Sequence, residues 1–175
     1  MKLKIFSFSL LFILIFSLNS CRDFTNTALN LMGSTDTATT IFPAPLGSVS
    51  DYEKILTDEQ IRSLDSIILQ HEKKTKNRIS IVSVKSTKPY ETLNEYSSEL
   101  FESWGKNDDG GKNLLIGISE KSNEVEIIVG KGLKKKLSDK ESKRIIDKTI
   151  QPEIKKGDYY SGLKKGLKKI ITEIK

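Results

Sequence analysis

Between residues 104 and 158 the chain alternates short apolar runs with glycine- and acid-rich turns, and this alternation restricts the fold more than any other feature. Leu114-Leu115-Ile116-Gly117-Ile118 and Val125-Glu126-Ile127-Ile128-Val129 are too short for stable helices and rich in branched residues, so both read as strands. Ser122-Asn123 supplies turn chemistry between them and predicts a hairpin. Ahead of the first strand lies a tight loop, Asn107-Asp108-Asp109-Gly110-Gly111. Behind the second comes Gly130-Lys131-Gly132, where missing side chains permit close backbone approach.

Helical signals surround this pair. Thr57-Asp58-Glu59-Gln60 is a capping box, and Ile61, Leu64, Ile68 and His71 follow at helical spacing, predicting a helix from about 58 to 76. The β-branched run from 79 to 84 reads as a buried strand. Pro89 suits a first helical turn, and Leu93, Tyr96, Leu100, Phe101 and Trp104 form the apolar face behind it, up to Gly105. A second capping box, Ser138 to Glu141, opens a helix carrying Ile145, Ile146 and Ile150, which Pro152 is expected to interrupt. A final helix from about 158 to 174 carries Leu163, Leu167, Ile170 and Ile174 on one side. The order gives an α/β fold with a mixed central β-sheet sandwiched between helices. The strands at 82 and 114 are joined through a helix and should run parallel. A weak pattern around 48–55 suggests one further short strand.

The first twenty residues do not read as part of this domain. Lys2 and Lys4 precede an uncharged apolar stretch, and a small residue stands before Cys21, the only cysteine. That is the anatomy of a secretory signal ending in a lipidation site. Residues 1–20 are thus expected to be removed, with Cys21 carrying the lipid and the chain held at a membrane. Residues 21–47, rich in Thr, Ser and Asn with Pro43 and Pro45, read as a flexible tether, and 48–175 as one domain. With no second cysteine, no disulfide staples that domain. The net charge of +6 falls to +4 once Lys2 and Lys4 leave with the signal, and the excess is concentrated in the last third. Such lysines read first as a solvated helix face. Export argues against a nucleic-acid partner, and a monomer is expected.

Seven pieces, in order, resemble the TPM domain family. They are Leu56-Thr57-Asp58-Glu59-Gln60, the 79–84 strand, Phe101-x-x-Trp104-Gly105, and the Asp-Gly loop before Leu114. They continue with Val129-Gly130-Lys131-Gly132-Leu133, Leu137-Ser138-Asp139, and Ile150-x-Pro152 followed by Gly157-Asp158-Tyr159. The resemblance implies an exported or membrane-tethered α/β domain at the periplasm or cell surface. It also implies divalent-cation binding, calcium before magnesium, and a phosphatase activity proposed for plant members. The chain departs from the family at Lys134-Lys135-Lys136, which replaces a frequently acidic segment.

A hard cation takes six to eight oxygen ligands from carboxylates and carbonyls on loops. Asp108, Asp109, Asp139 and Asp158 all stand in loops or at element ends, and the expectation is that their loops converge on one ion. The competing reading is local, since Asp and Gly serve turns and helix starts in any protein. The spacing is not that of an EF-hand. No phosphatase nucleophile motif occurs, His71 reads as a surface or edge residue, and Trp104 reads as core. Function is therefore expected to be cation binding in support of envelope-protein maintenance or assembly, through an envelope protein partner. A metal-dependent phosphatase and a metal-free protein- or membrane-interaction module are the alternatives.

Overall fold

In the computed structural model, residues 42–105 and 110–175 are described. The expected signal, Cys21 and most of the expected tether lie outside them, as do Asp108 and Asp109. The element order is β1 (Val49–Asp51), α1 (Asp58–Thr75), β2 (Arg78–Ser83), α2 (Leu93–Trp104), β3 (Asn113–Ser119) and β4 (Glu124–Val129). There follow α3 (Asp139–Ile145), a π-helical turn (Ile146–Ile150), α4 (Gln151–Ile154) and α5 (Tyr159–Glu173).

The four strands form one sheet in the order β1-β2-β3-β4. β1, β2 and β3 are parallel neighbours, with Val49 opposite Ile81 and Ile79 opposite Leu114. β4 returns antiparallel, with Leu114 opposite Val129. Alternation across the pleat divides the core in two. Ile79, Ile81, Leu114, Ile116, Ile118, Val125 and Ile127 face a layer built from α1, α3 and α5. Val82, Val84 and Leu115 face α2 through Leu93, Tyr96 and Leu100. In α5, Leu163, Leu167 and Ile170 are fully buried, and each side chain contributes about 1.5–3 kcal/mol by leaving water.

The capping boxes at Thr57 and Ser138 form as the sequence predicts. α2 does not start at Pro89. Pro89 lies in a turn, and a third capping box, Thr92 with Glu95, sets the true start because it satisfies two end N–H groups that proline cannot. Pro152 does not interrupt its helix either. The preceding turn widens to π spacing, with Gln151 N–H donating to Ile146 O, and the ring stands in the first turn of α4, where its missing N–H is tolerated. The domain also starts earlier than residue 48. Phe42 stacks on Tyr90 at 6.0 Å between centroids and meets Tyr96 edge-on, while Trp104 Nε1 donates to Pro43 O at 3.0 Å. Residues 42–47 thus belong to the domain, and Trp104 is a half-buried clasp on them.

Candidate functional site

The two ends of the sheet differ in chemistry. At the carboxyl end of the parallel strands, Asp51 ends β1 and Ser83 ends β2. Ser83 Oγ donates to Asp51 Oδ1 at 2.6 Å, and the same carboxylate accepts Ile55 N–H and Leu56 N–H at 3.2 and 2.9 Å. Glu53 accepts Glu120 N–H at 2.9 Å. Burial pushes the Glu53 carboxyl above its usual range against the pull of that bond, and the Glu120 and Asp51 carboxylates add to the rise. Tyr159, at the start of α5, joins this end. Burial raises its hydroxyl above the usual tyrosine range, followed by the charges of Glu120 and Glu53. Ligands of open α/β sheets commonly bind at this end. Here, however, both Asp51 oxygens and Glu53 Oε2 already accept hydrogen bonds from backbone amides or from Ser83.

At the opposite end, β3 begins and β4 finishes. Gly130 N–H donates to Asn113 O and Gly132 N–H to Gly111 O, both at 2.9 Å. A Cβ on Gly130 would stand within 2.8 Å of three oxygens: Asn113 Oδ1, Asn113 O and Gly111 O. Glycine is therefore required there by contact rather than by torsion angle. Asn113 Oδ1 is buried without a hydrogen-bond partner among the described residues. Gly110 and Gly111, at φ +92° and +67°, end the loop that carries Asp108 and Asp109. A cleft of 320 Å³ opens beside this end, walled by Trp104, Phe101, Arg78, Glu72 and Asn113.

The predicted carboxylates divide between these ends. Asp139 opens α3, is exposed, and pairs with Lys134, which itself follows the glycine-rich end of β4. Asp158 caps α5 by accepting Ser161 N–H at 3.0 Å, and that bond holds its carboxyl below the usual range. One continuous helical run, 139–154, separates the two. Fifteen steps at about 1.5 Å each make that run roughly 22 Å long, with Asp139 at its start and Asp158 four residues beyond its end, while Asp108 and Asp109 lie outside the described residues. Among the described residues, no three His, Cys, Asp or Glu side chains are grouped to hold a metal ion. His71 is not the surface or edge residue expected: it is 6% exposed and shares a 3.2 Å hydrogen bond with Thr75 Oγ1. Burial, then the charges of Lys175 and Lys136, lower its pKa below the usual histidine value.

Sequence reasoning missed Asp51, Glu53, Ser83 and Glu120 at the carboxyl end, and Asn113 at the other. Asp51 alone carried a local signal, a carboxylate four and five residues before the amides it caps. Asn113 could have been flagged by its place between a glycine loop and an apolar strand.

Among solved structures, the chain is similar to the N-terminal domain of a protein from P. gingivalis. Identity is 21%, covering 72% of this chain and 80% of that one, with a TM-score of 0.66. The BA42 protein of the psychrophilic bacterium Bizionia argentinensis is likewise 21% identical, over 70% and 83%, at a TM-score of 0.60. The N-terminal domain of cg2496 protein from Corynebacterium glutamicum is 13% identical, over 77% and 86%, at 0.58. At such identities the likeness concerns the fold. None of the curated proteins matches. The TPM domain profile covers residues 49–173, from the first strand to the last helix, and the chain belongs to the TPM domain family.

Proposed function

We propose that this protein is an exported TPM domain, anchored through lipid on Cys21, that binds a divalent cation at the glycine-rich end of its sheet. Calcium is preferred because the available donors are oxygens on loops rather than imidazoles or thiolates. Asn113 Oδ1 carries the reading: it is buried with no partner among the described residues, and a buried acceptor left so costs stability unless something supplies positive charge or a donor. It follows the loop that holds Asp108 and Asp109 and lies beside the Gly111 carbonyl. Those two aspartates would supply carboxylates, and Asn113 and backbone carbonyls the neutral ligands. Asp139 is a weaker contributor because Lys134 occupies it, and Asp158 has no part. Lys131 and Lys134 nearby limit the affinity. The bound ion would rigidify this loop for contact with an envelope protein partner.

Calorimetric titration of the full-length protein in detergent micelles tests the site. Calcium is expected to bind with a dissociation constant in the range of about 10⁻⁴–10⁻³ M typical of extracellular sites. Asp108→Asn with Asp109→Asn should abolish the heat, whereas Asp158→Asn should leave it intact. No heat at millimolar calcium, or heat that survives the double substitution, refutes the proposal. Phosphomonoester hydrolysis that disappears in the double variant would restore the phosphatase alternative.

A further inference from the structure

The sheet has two edges, and they are treated differently. β1 is three residues long, and α1 sets Asp65 beside Ser48 and Val49 there, a short edge guarded by an inward carboxylate. β4 is six residues long, and among the described residues no further strand pairs beside it. Because Gly130 N–H donates to Asn113 O, that pair is hydrogen-bonded, and so are the alternate pairs 115/128, 117/126 and 119/124. Val125, Ile127 and Val129 consequently turn their N–H and C=O groups away from β3. These three residues are 5%, 7% and 5% exposed, and no hydrogen bond among the described residues uses their outward groups.

They form the floor of a cleft of 760 Å³. Asn94 and Ser98 of α2 make one wall; Ser142 of α3 and Ile146 of the π turn make the other. Ser142 is 4% exposed, and its Oγ has no partner among the described residues. A row of unpaired backbone groups between two helices, with a stranded hydroxyl on one wall, is the geometry of strand addition.

Charge decides the occupant. Glu124 and Glu126 alternate with the inward valines and face α2, where Asn94 Nδ2 donates to Glu126 at 3.0 Å. α2 contributes Asn94 and Ser98 to the cleft and contains no basic residue, so Glu124 and Glu126 make this side acidic. A second copy pairing β4 with β4 would bring the same acidic wall against this one. On the α3 side, Lys134 and Lys143 pair with Asp139 and Asp147, Lys155 adds a positive charge, and the wall is small at Ser142. We propose that the β4 edge receives an extended peptide segment of a partner protein as a fifth strand, with basic residues turned to α2 and small residues turned to α3.

The test uses full-length protein in detergent micelles and a fluorescent Lys-Thr-Lys-Val-Lys-Thr-Lys peptide, followed by anisotropy at moderate salt. Binding should saturate below about 1 mM. N-methylation of the peptide amides that face β4 should weaken it roughly tenfold or more, since those hydrogen bonds are lost. Glu126→Lys should weaken the Lys peptide and favour a Glu-Thr counterpart, with circular dichroism unchanged. Equal binding of the N-methylated peptide would reduce the effect to surface charge and overturn the proposal. So would absence of binding, or a concentration-dependent dimer in sedimentation that excludes the peptide.

Discussion

The carboxyl end of the parallel strands gathers acidic side chains and turns their oxygens inward, onto backbone amides. The amino end gathers backbone carbonyls around glycines and leaves an amide oxygen, that of Asn113, without a donor among the described residues. Both are crowded with oxygen, but among the described residues the acidic oxygens of the first already accept hydrogen bonds, whereas Asn113 Oδ1 at the second accepts none. Acidic composition is therefore a poor guide to a cation site: at the first end Asp51 and Glu53 act as structural acceptors that join β1 to β2 and to the turn after β3. What distinguishes a site from a brace is how many of its lone pairs are already occupied.

Substitutions at the two ends sharpen this contrast. The largest effect is expected from Gly130→Ala, which drives a methyl group into three oxygens, two of them backbone. Urea unfolding should show a loss of about 3 kcal/mol with an unchanged slope. A loss under roughly 0.5 kcal/mol would mean the glycine end is looser than its contacts imply. Asp51→Ala comes next. It strands Ile55 N–H, Leu56 N–H and Ser83 Oγ together, and about 2 kcal/mol should be lost. Full stability in that variant would show the carboxylate to be as uncommitted as those sought for a cation.

Glu53→Gln should have the smallest effect and the opposite sign. Its folded pKa is raised, chiefly by burial, so its favourable contribution is complete below the ordinary value of 4.5 and disappears as pH rises through the folded value. At pH 7 the ionised side chain carries that cost, and Gln removes it while its carbonyl can still accept Glu120 N–H. The variant should match or slightly exceed the parent at pH 7, with the difference shrinking as pH falls. Chemical denaturation of both proteins across pH 4.5–7 measures it, and a variant less stable at neutral pH contradicts the assignment.

Most of the architecture was legible locally. The hairpin and the capping boxes at Thr57 and Ser138 are each written within a few neighbouring residues, and local chemistry decided them. The start of α2 was misread because Pro89 and Thr92 both suit a helix entrance, and the box at Thr92 prevails by satisfying more end groups. The site was much less legible. Asp51 and Ser83 are 32 residues apart, and no periodicity announces that β1 sets them side by side. Nor does the spacing between Asp139 and Asp158 reveal that a helical run separates them. The β4 edge is a property of strand order, which depends on contacts among all four strands.

The π turn carries a consequence for how this chain can vary. Ile145 and Ile150 are both buried although five positions apart, and Ile150 lies so close to Gly166 that a Cβ there would approach its Cγ1 to 2.5 Å. One residue of the turn is surplus to α-helical spacing. Dropping it would bring the two isoleucines to four positions apart, still on one face, while the ends of the run kept their partners. The helix therefore contains an expansion joint, a place where the chain could change length by one residue without resetting the sheet or α5.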